Sequence, residues 1–199
     1  MNFLAHLYLS GNDEQLMIGN FIADSVKGSS FQKFPDGIKK GILLHRAIDF
    51  YSDNHPVFLK SVERLRPNYR KYAGVIVDIF YDHYLAKNWK DYSDKPLEKY
   101  ASEVHSLMLK NIFLMPQKSL LFLKYAIRTN RLVPYGTKDG IAEVLFGMSH
   151  RTTFKSNMEL ATEELKKYNS EFENEFKIFF EDARKFVSEW LDSRSAVSQ

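Results

Sequence analysis

Between residues 45 and 55 the chain reads HRAIDFYSDNH, which spaces His45, Asp49, Asp53 and His55 at steps of four, four and two. Residues four apart in a helix share a face, so His45 and Asp49 point the same way and Asp53 follows one turn on. A solvated helix face is ordinarily built from Glu, Lys and Arg, and a core face from Leu and Ile. Imidazole and carboxylate at one-turn spacing fit neither pattern. A second group lies in RKYAGVIVDIFYDHYLAKNWK, residues 70–90, where Asp78 and Asp82 are four apart and His83 follows. Ile79, Phe80 and Tyr81 separate them, and a carboxylate among such neighbours is costly unless it is paired or binds a metal. A third group is His6, set among Phe3, Leu4, Leu7 and Tyr8, with Asn20 and Asp24 again four apart. The chain has no cysteine, so a metal would be held by nitrogen and oxygen donors. Such donors suit Mn, Mg, Fe or Zn.

Each group also has a plain structural reading. A single histidine on an apolar face, such as His6, is ordinarily a satisfied core residue. Asp36 and Asp53 sit where helix caps are common, and Asp53-Asn54-His55-Pro56 also reads as turn chemistry. A salt bridge to Arg46 or Arg70 would account for Asp78, Asp82 and His83. His105 and His150, in amphipathic surroundings, read as surface residues. What favours a shared metal is the joint occurrence: His/Asp pairs on three separate helices, in a chain with six histidines. Helices packed round a common ion are built in this way, each lending one or two inward ligands.

The elements that must position these residues are helical. With 199 residues, 9 Gly and 6 Pro, turn signals are sparse, the apolar period is helical and no segment alternates as a strand. The pattern predicts an all-α, single-domain helical bundle over 1–199. Helices are expected at 13–27, from Pro35 to about Asp53, from Pro56 to a stop before Pro67, and at 70–90, 95–112, 117–131 and 138–150. The 70–90 helix is nearly all apolar and belongs at the centre. Residues 28–37 and 131–139 read as loops. The Glu/Lys-rich stretch 156–193 reads as one or two surface helices, and the tail DSRSAVSQ as frayed. The motifs all lie within 1–150.

Net charge is +3, too small to argue for nucleic acid but suited to an acidic partner or a phosphate-bearing substrate. Lys39 and Lys40 on the helix leading to His45, and Arg64, Arg66, Arg70 and Lys71 around Pro67, are the basic residues that could meet one. No apolar stretch approaches the roughly 20 residues of a membrane span, and MNFLAHLYLSGNDE lacks the pattern of a secretory leader. A cytoplasmic protein is expected.

Four stretches in order, MNFLAHLYLS, IGNFIADSVKG, GILLHRAIDFYSDNHP and YAGVIVDIFYDHYLAKNW, resemble acyl carrier protein phosphodiesterases. The resemblance covers most of 1–92 and continues more loosely to about residue 150. It implies a divergent, HD-domain-like phosphohydrolase that uses Mn²⁺, with Mg²⁺ or Fe²⁺ as other choices. The implied reaction removes 4′-phosphopantetheine from holo-acyl carrier protein, a small acidic helical partner. The superfamily's adjacent His-Asp is absent here; the neighbouring pair is the reverse, Asp82-His83.

The implied ligands are His45, Asp49 and Asp78, then Asp24 and His6. Asp24, Asp82 or His83 would orient water or protonate the leaving serine oxygen. Asn20, Asp53, His55, Lys39, Lys40, Arg64, Arg66 and Arg70 would face the substrate. Two other readings share these residues: an HD-type hydrolase of a nucleotide or other small phosphodiester, and a non-enzymatic helical metal-binding or interaction protein.

Overall fold

The structure, a computed structural model, describes residues 1–130 and 132–196. Among the described residues there is no strand, and ten α-helices follow one another: α1 Phe3–Leu9, α2 Glu14–Ile22, α3 Asp36–Asn54, α4 Pro56–Tyr69, α5 Ala73–Lys87, α6 Leu97–Lys110, α7 Gln117–Arg128, α8 Lys138–Ser149, α9 Thr162–Lys167 and α10 Asn169–Ala196. The all-α expectation is met.

The sequence of α5 dictates the architecture. It is apolar on nearly every side, and Ile76, Val77, Ile79, Phe80, Tyr84 and Leu85 are fully buried. A helix without a polar face has no stable place except the middle. Accordingly α1, α4, α8 and α10 pack against it, and their apolar stripes join it in one connected core.

Where α2 crosses α3, glycine permits contact between backbones. A Cβ on Gly19 would lie 2.2 Å from the Ile38 carbonyl oxygen, and one on Gly41 would lie 2.4 Å from that of Leu16. No side chain fits there, so the two helices meet at backbone distance. This close approach brings Asn20 and His45, one helix each, within hydrogen-bonding reach.

Several elements differ from the sequence-based expectation. The helix expected over 13–27 ends at Ile22 and continues as a 3₁₀ turn, Ala23–Ser25, with Asp13 capping its start through the Gln15 and Leu16 amides. Residues 3–9, for which no helix was expected, form α1. Helix α4 runs through Pro67 to Tyr69 rather than stopping before the proline. Pro67 and Glu63, whose carbonyl loses its helical partner to the proline, are both exposed residues of α4. Buried Tyr69 then fixes the last turn, its hydroxyl donating to Glu164 Oε2 at 2.5 Å.

The largest correction concerns the C-terminal third. Helix α10 is not a surface helix: Phe172, Phe176, Phe179 and Phe180 are all essentially inaccessible and pack it onto α3, α4 and α5. It also carries helical backbone through Ala196, into the segment read as a frayed tail. The rest of that tail, and the last position of the helix expected over 117–131, lie outside the described residues.

Candidate metal centre

The centre starts at the end of α1. A seven-residue helix is too short to stand alone, and its first amides need acceptors. Asn2 Oδ1 accepts from the Phe3 N–H at 2.9 Å. The Asp82 carboxylate, projecting from α5, accepts from Leu4 N–H at 2.9 Å and Ala5 N–H at 3.0 Å. Asp82 is wholly buried. Burial pushes its carboxyl up to about 7, against the pull of the two amides. Its role in the fold is to hold α1 on α5, which fixes His6, the next residue along.

Asn20 then ties three helices together. Its Nδ2 donates to the His6 carbonyl and to Ser10 Oγ, each at 2.9 Å. A carbonyl can only accept, so the amide NH₂ must lie on that side and Oδ1 must face the other way. Oδ1 stands 2.8 Å from His45 Nδ1, which must therefore carry the proton. The His45 tautomer is thus set by its neighbour, and Nε2 is turned toward Asp49 Oδ2 at 3.2 Å and Asp24 Oδ1 at 3.4 Å. His6 Nε2 meets the other oxygen of Asp49 at 3.1 Å. The two imidazoles stack, with centroids 4.0 Å apart and planes 14° from parallel.

Among the described residues, His6, His45 and Asp49 form a group of three whose ligand atoms lie within 4.8 Å of one another. Asp24 adds a carboxylate at the solvent edge, its side chain 62% exposed. The electrostatics are those of a set short of one positive charge. Burial, and then the neighbouring His45, lower His6 to about 4. Burial works against the charged form of His45 as well, but hydrogen bonds to Asp24 and Asp49 outweigh it and raise the group to about 9. Burial likewise opposes ionisation of Asp49, yet the two imidazoles hold its carboxyl far below the usual range. His6 Nδ1 is buried with no hydrogen-bond partner, which is costly for a polar atom that nothing takes up.

The other sequence-predicted residues fall outside this group. Asp78 is neither fully buried nor paired with Arg46 or Arg70. It is held 3.0 Å from the Met1 amino group, which also lies 3.5 Å from Asp49 Oδ1. Arg46 is spent on the Val26 and Gly28 carbonyls. His83 Nδ1–H donates to the Tyr135 carbonyl at 2.7 Å. His55 is buried against Phe179 and lies 3.5 Å from Asp182, on the side of α10. Asp53 is exposed at the end of α3. Asn20, expected to face substrate, lies 1% exposed behind the imidazoles.

The basic residues are mostly committed. Arg64 pairs with Glu175, Arg66 with Glu63 and Lys39 with Asp36. Lys71 lies over Phe154, Arg70 is exposed with φ +48° at the end of α4, and Lys40 lines a shallow groove with Arg194. His150 is exposed as expected, whereas His105 is half-buried with an unpartnered Nε2.

Sequence reasoning missed the positioning roles of Asn20 and Asp82. The one signal available was a polar residue with no charge partner inside each apolar run. Among the described residues no helix is long and apolar enough to cross a membrane.

Comparison with known proteins bears on this centre. The family model described as acyl carrier protein phosphodiesterase matches residues 1–183. Among curated relatives, the acyl carrier protein phosphodiesterases of Enterobacter sp. (strain 638) and of Escherichia coli O6:H1 are each 34% identical over 152 residues, covering 76% of this chain and 79% of theirs. That of Photorhabdus laumondii subsp. laumondii is 29% identical over 181 residues, covering 90% and 91%. No solved structure matches the chain. The matched span holds α1 to α9 and the first half of α10, with every residue of the centre inside it, and the chain belongs to the acyl carrier protein phosphodiesterase family.

Proposed function

We propose that the chain is a cytoplasmic, metal-dependent phosphodiesterase that cleaves the bond between a serine of holo-acyl carrier protein and its pantetheine arm, releasing 4′-phosphopantetheine and apo-acyl carrier protein. One observation carries the reading: in a chain of this family, two imidazoles and a carboxylate from two helices converge within 4.8 Å.

The residues fit a divalent cation. His45 has its second nitrogen bonded to Asn20, the usual arrangement behind a metal-ligating histidine. Two carboxylates face the imidazoles, and a buried imidazole nitrogen is left without a partner. A set mixing imidazole and carboxylate suits Mn²⁺ or Fe²⁺ better than Mg²⁺. His6, His45 and Asp49 would hold the ion, with Asp24 beside them. Bound there, it supplies Lewis-acid activation of water and neutralises charge on the phosphoryl oxygens.

The chain's own groups do the rest. Asn20 and Asp82 keep the imidazoles in place. Asp24, the accessible carboxylate, accepts the proton of the attacking water. Water oxygen adds to phosphorus, the bond to the serine oxygen breaks, and that oxygen takes the proton from Asp24. The water's other hydrogen stays on the phosphate product.

The test is mass spectrometry of holo-acyl carrier protein incubated with the purified chain and Mn²⁺. Loss of the phosphopantetheine mass, abolished by chelation and by Asp49→Ala, supports the reading. A carrier protein left unchanged by chain that has bound Mn²⁺ overturns it.

A further inference from the structure

Beside the centre lies a cleft of about 320 Å³ whose wall includes Asp24. One side of it is aromatic. Phe3 stacks on Phe122 with centroids 4.0 Å apart, and Phe21 closes the set at 5.9 Å and 5.8 Å from them. Another part is a hydroxyl pair: Ser119 Oγ donates to Ser25 Oγ at 2.8 Å, which leaves the Ser25 hydrogen free to donate elsewhere. Two cations line the cleft, Lys118 and Arg151. Neither has a carboxylate partner among the described residues. Arg151 is nonetheless held in place, its Nε donating to the Gly147 carbonyl at 3.0 Å and its guanidinium lying over the Tyr125 ring.

These features specify a ligand. Small-molecule sites start at about 300 Å³, so the cleft takes a slender molecule and excludes a folded protein. Aromatic rings favour branched apolar carbon, the free hydroxyl favours an amide or alcohol oxygen, and two unpaired cations favour a phosphate. Asp24 belongs both to the cleft and to the centre, so a ligand lying in the cleft has one end at the reacting position. Pantetheine is a slender chain with a gem-dimethyl group, an alcohol and two amides, and in the substrate it carries phosphate at one end.

We propose that this cleft binds the pantetheine arm of the substrate, with Lys118 and Arg151 as specificity-determining residues at its phosphate-bearing end. The inference rests on the phosphodiesterase reading. It adds that the arm is recognised as a small molecule, separately from the protein that carries it.

The experiment is calorimetric titration of the full, metal-loaded chain with 4′-phosphopantetheine and with unphosphorylated pantetheine. Turnover of holo-acyl carrier protein by the same preparation is measured alongside. Both ligands are expected to bind. The double variant Lys118→Ala/Arg151→Ala alters exposed side chains; it should weaken 4′-phosphopantetheine by about tenfold or more, the scale of a lost charge-assisted contact, and leave pantetheine within about twofold. Met148→Trp, which fills the cleft, should abolish binding of both, with folding checked by circular dichroism.

Affinity for 4′-phosphopantetheine that is unmoved in the double variant overturns the assignment, as does a wild-type chain that binds neither ligand. If holo-acyl carrier protein is still turned over in that case, the cleft assignment alone falls. If it is not turned over at all, the phosphodiesterase reading falls with it.

Discussion

At Glu175 every polar atom has a partner. Oε2 accepts from Ser61 Oγ at 2.5 Å and from Arg64 Nη1 at 2.6 Å, and Oε1 accepts from Arg64 Nη2 at 2.7 Å. Ser61 in turn receives the Tyr81 hydroxyl at 2.9 Å, and Arg64 lies over the Phe172 ring. At Asp49 the same kinds of group are arranged differently. Two imidazole nitrogens meet its oxygens at 3.1 and 3.2 Å, a second carboxylate crowds one of them, and His6 Nδ1 is left with nothing.

Both clusters join helices distant in sequence, yet the first is closed and the second is short of a cation. A closed network fixes packing; it docks α10 on α4 and has nothing left with which to bind. An incomplete one costs stability and persists where something from outside completes it.

This contrast predicts opposite mutational signatures. The largest effect belongs to Asp49→Ala. Metal affinity should be lost, and turnover of holo-carrier protein should fall on the order of 10³-fold, the several kcal/mol that metal activation supplies at about 1.4 kcal/mol per decade. Metal analysis and single-turnover kinetics check this. Glu175→Ala should do the reverse. Removing one partner of a buried pair strands the other, so stability to urea should drop by about 3 kcal/mol while turnover per folded molecule holds. If Glu175→Ala instead lost activity before stability, the contrast would fail.

Next comes Asn20→Ala, which frees the His45 tautomer. Metal affinity should weaken about 10- to 100-fold, as for other residues that orient a ligand, read as a shift in the metal titration midpoint. Gly41→Ala forces a methyl against the Leu16 carbonyl and should cost about 1–3 kcal/mol, measured by thermal unfolding.

The smallest effect is in pH. Burial opposes ionisation of Glu175, but Arg64 and Ser61 prevail and its carboxyl lies below the ordinary value. A depressed carboxyl stabilises the fold fully above its unfolded value, about 4.3, and that contribution fades as pH falls through the folded one. Melting temperatures of Glu175→Gln should therefore lie below the wild type near neutrality and converge with it in acid.

How much of this was legible in the sequence depends on how local each cause is. The burial of α5 could be read because its apolar run is unbroken. The shared face of His45 and Asp49 could be read because one helical turn sets it. Helix α10 was misread because Glu and Lys fill the spaces between Phe172, Phe176, Phe179 and Phe180. Its composition is that of a surface, whereas the spacing of its phenylalanines is that of a core.

His6 joins the centre because Asp82 and Asn20, on two other helices, anchor α1, and no local pattern in FLAHLYL reports that. Asp78 stands outside the imidazole group for a related reason. Its apolar neighbours are buried by elements packing on other sides of α5, leaving its own side open to the Met1 amino group.

The most direct test of the central claim is titration of chelator-stripped protein with Mn²⁺, comparing wild type with Asp49→Ala and following both by calorimetry and thermal unfolding. The account predicts saturable binding and a raised melting temperature in the wild type, and neither in a variant that remains folded. Equal binding by the two proteins would contradict it and place the metal elsewhere in the chain.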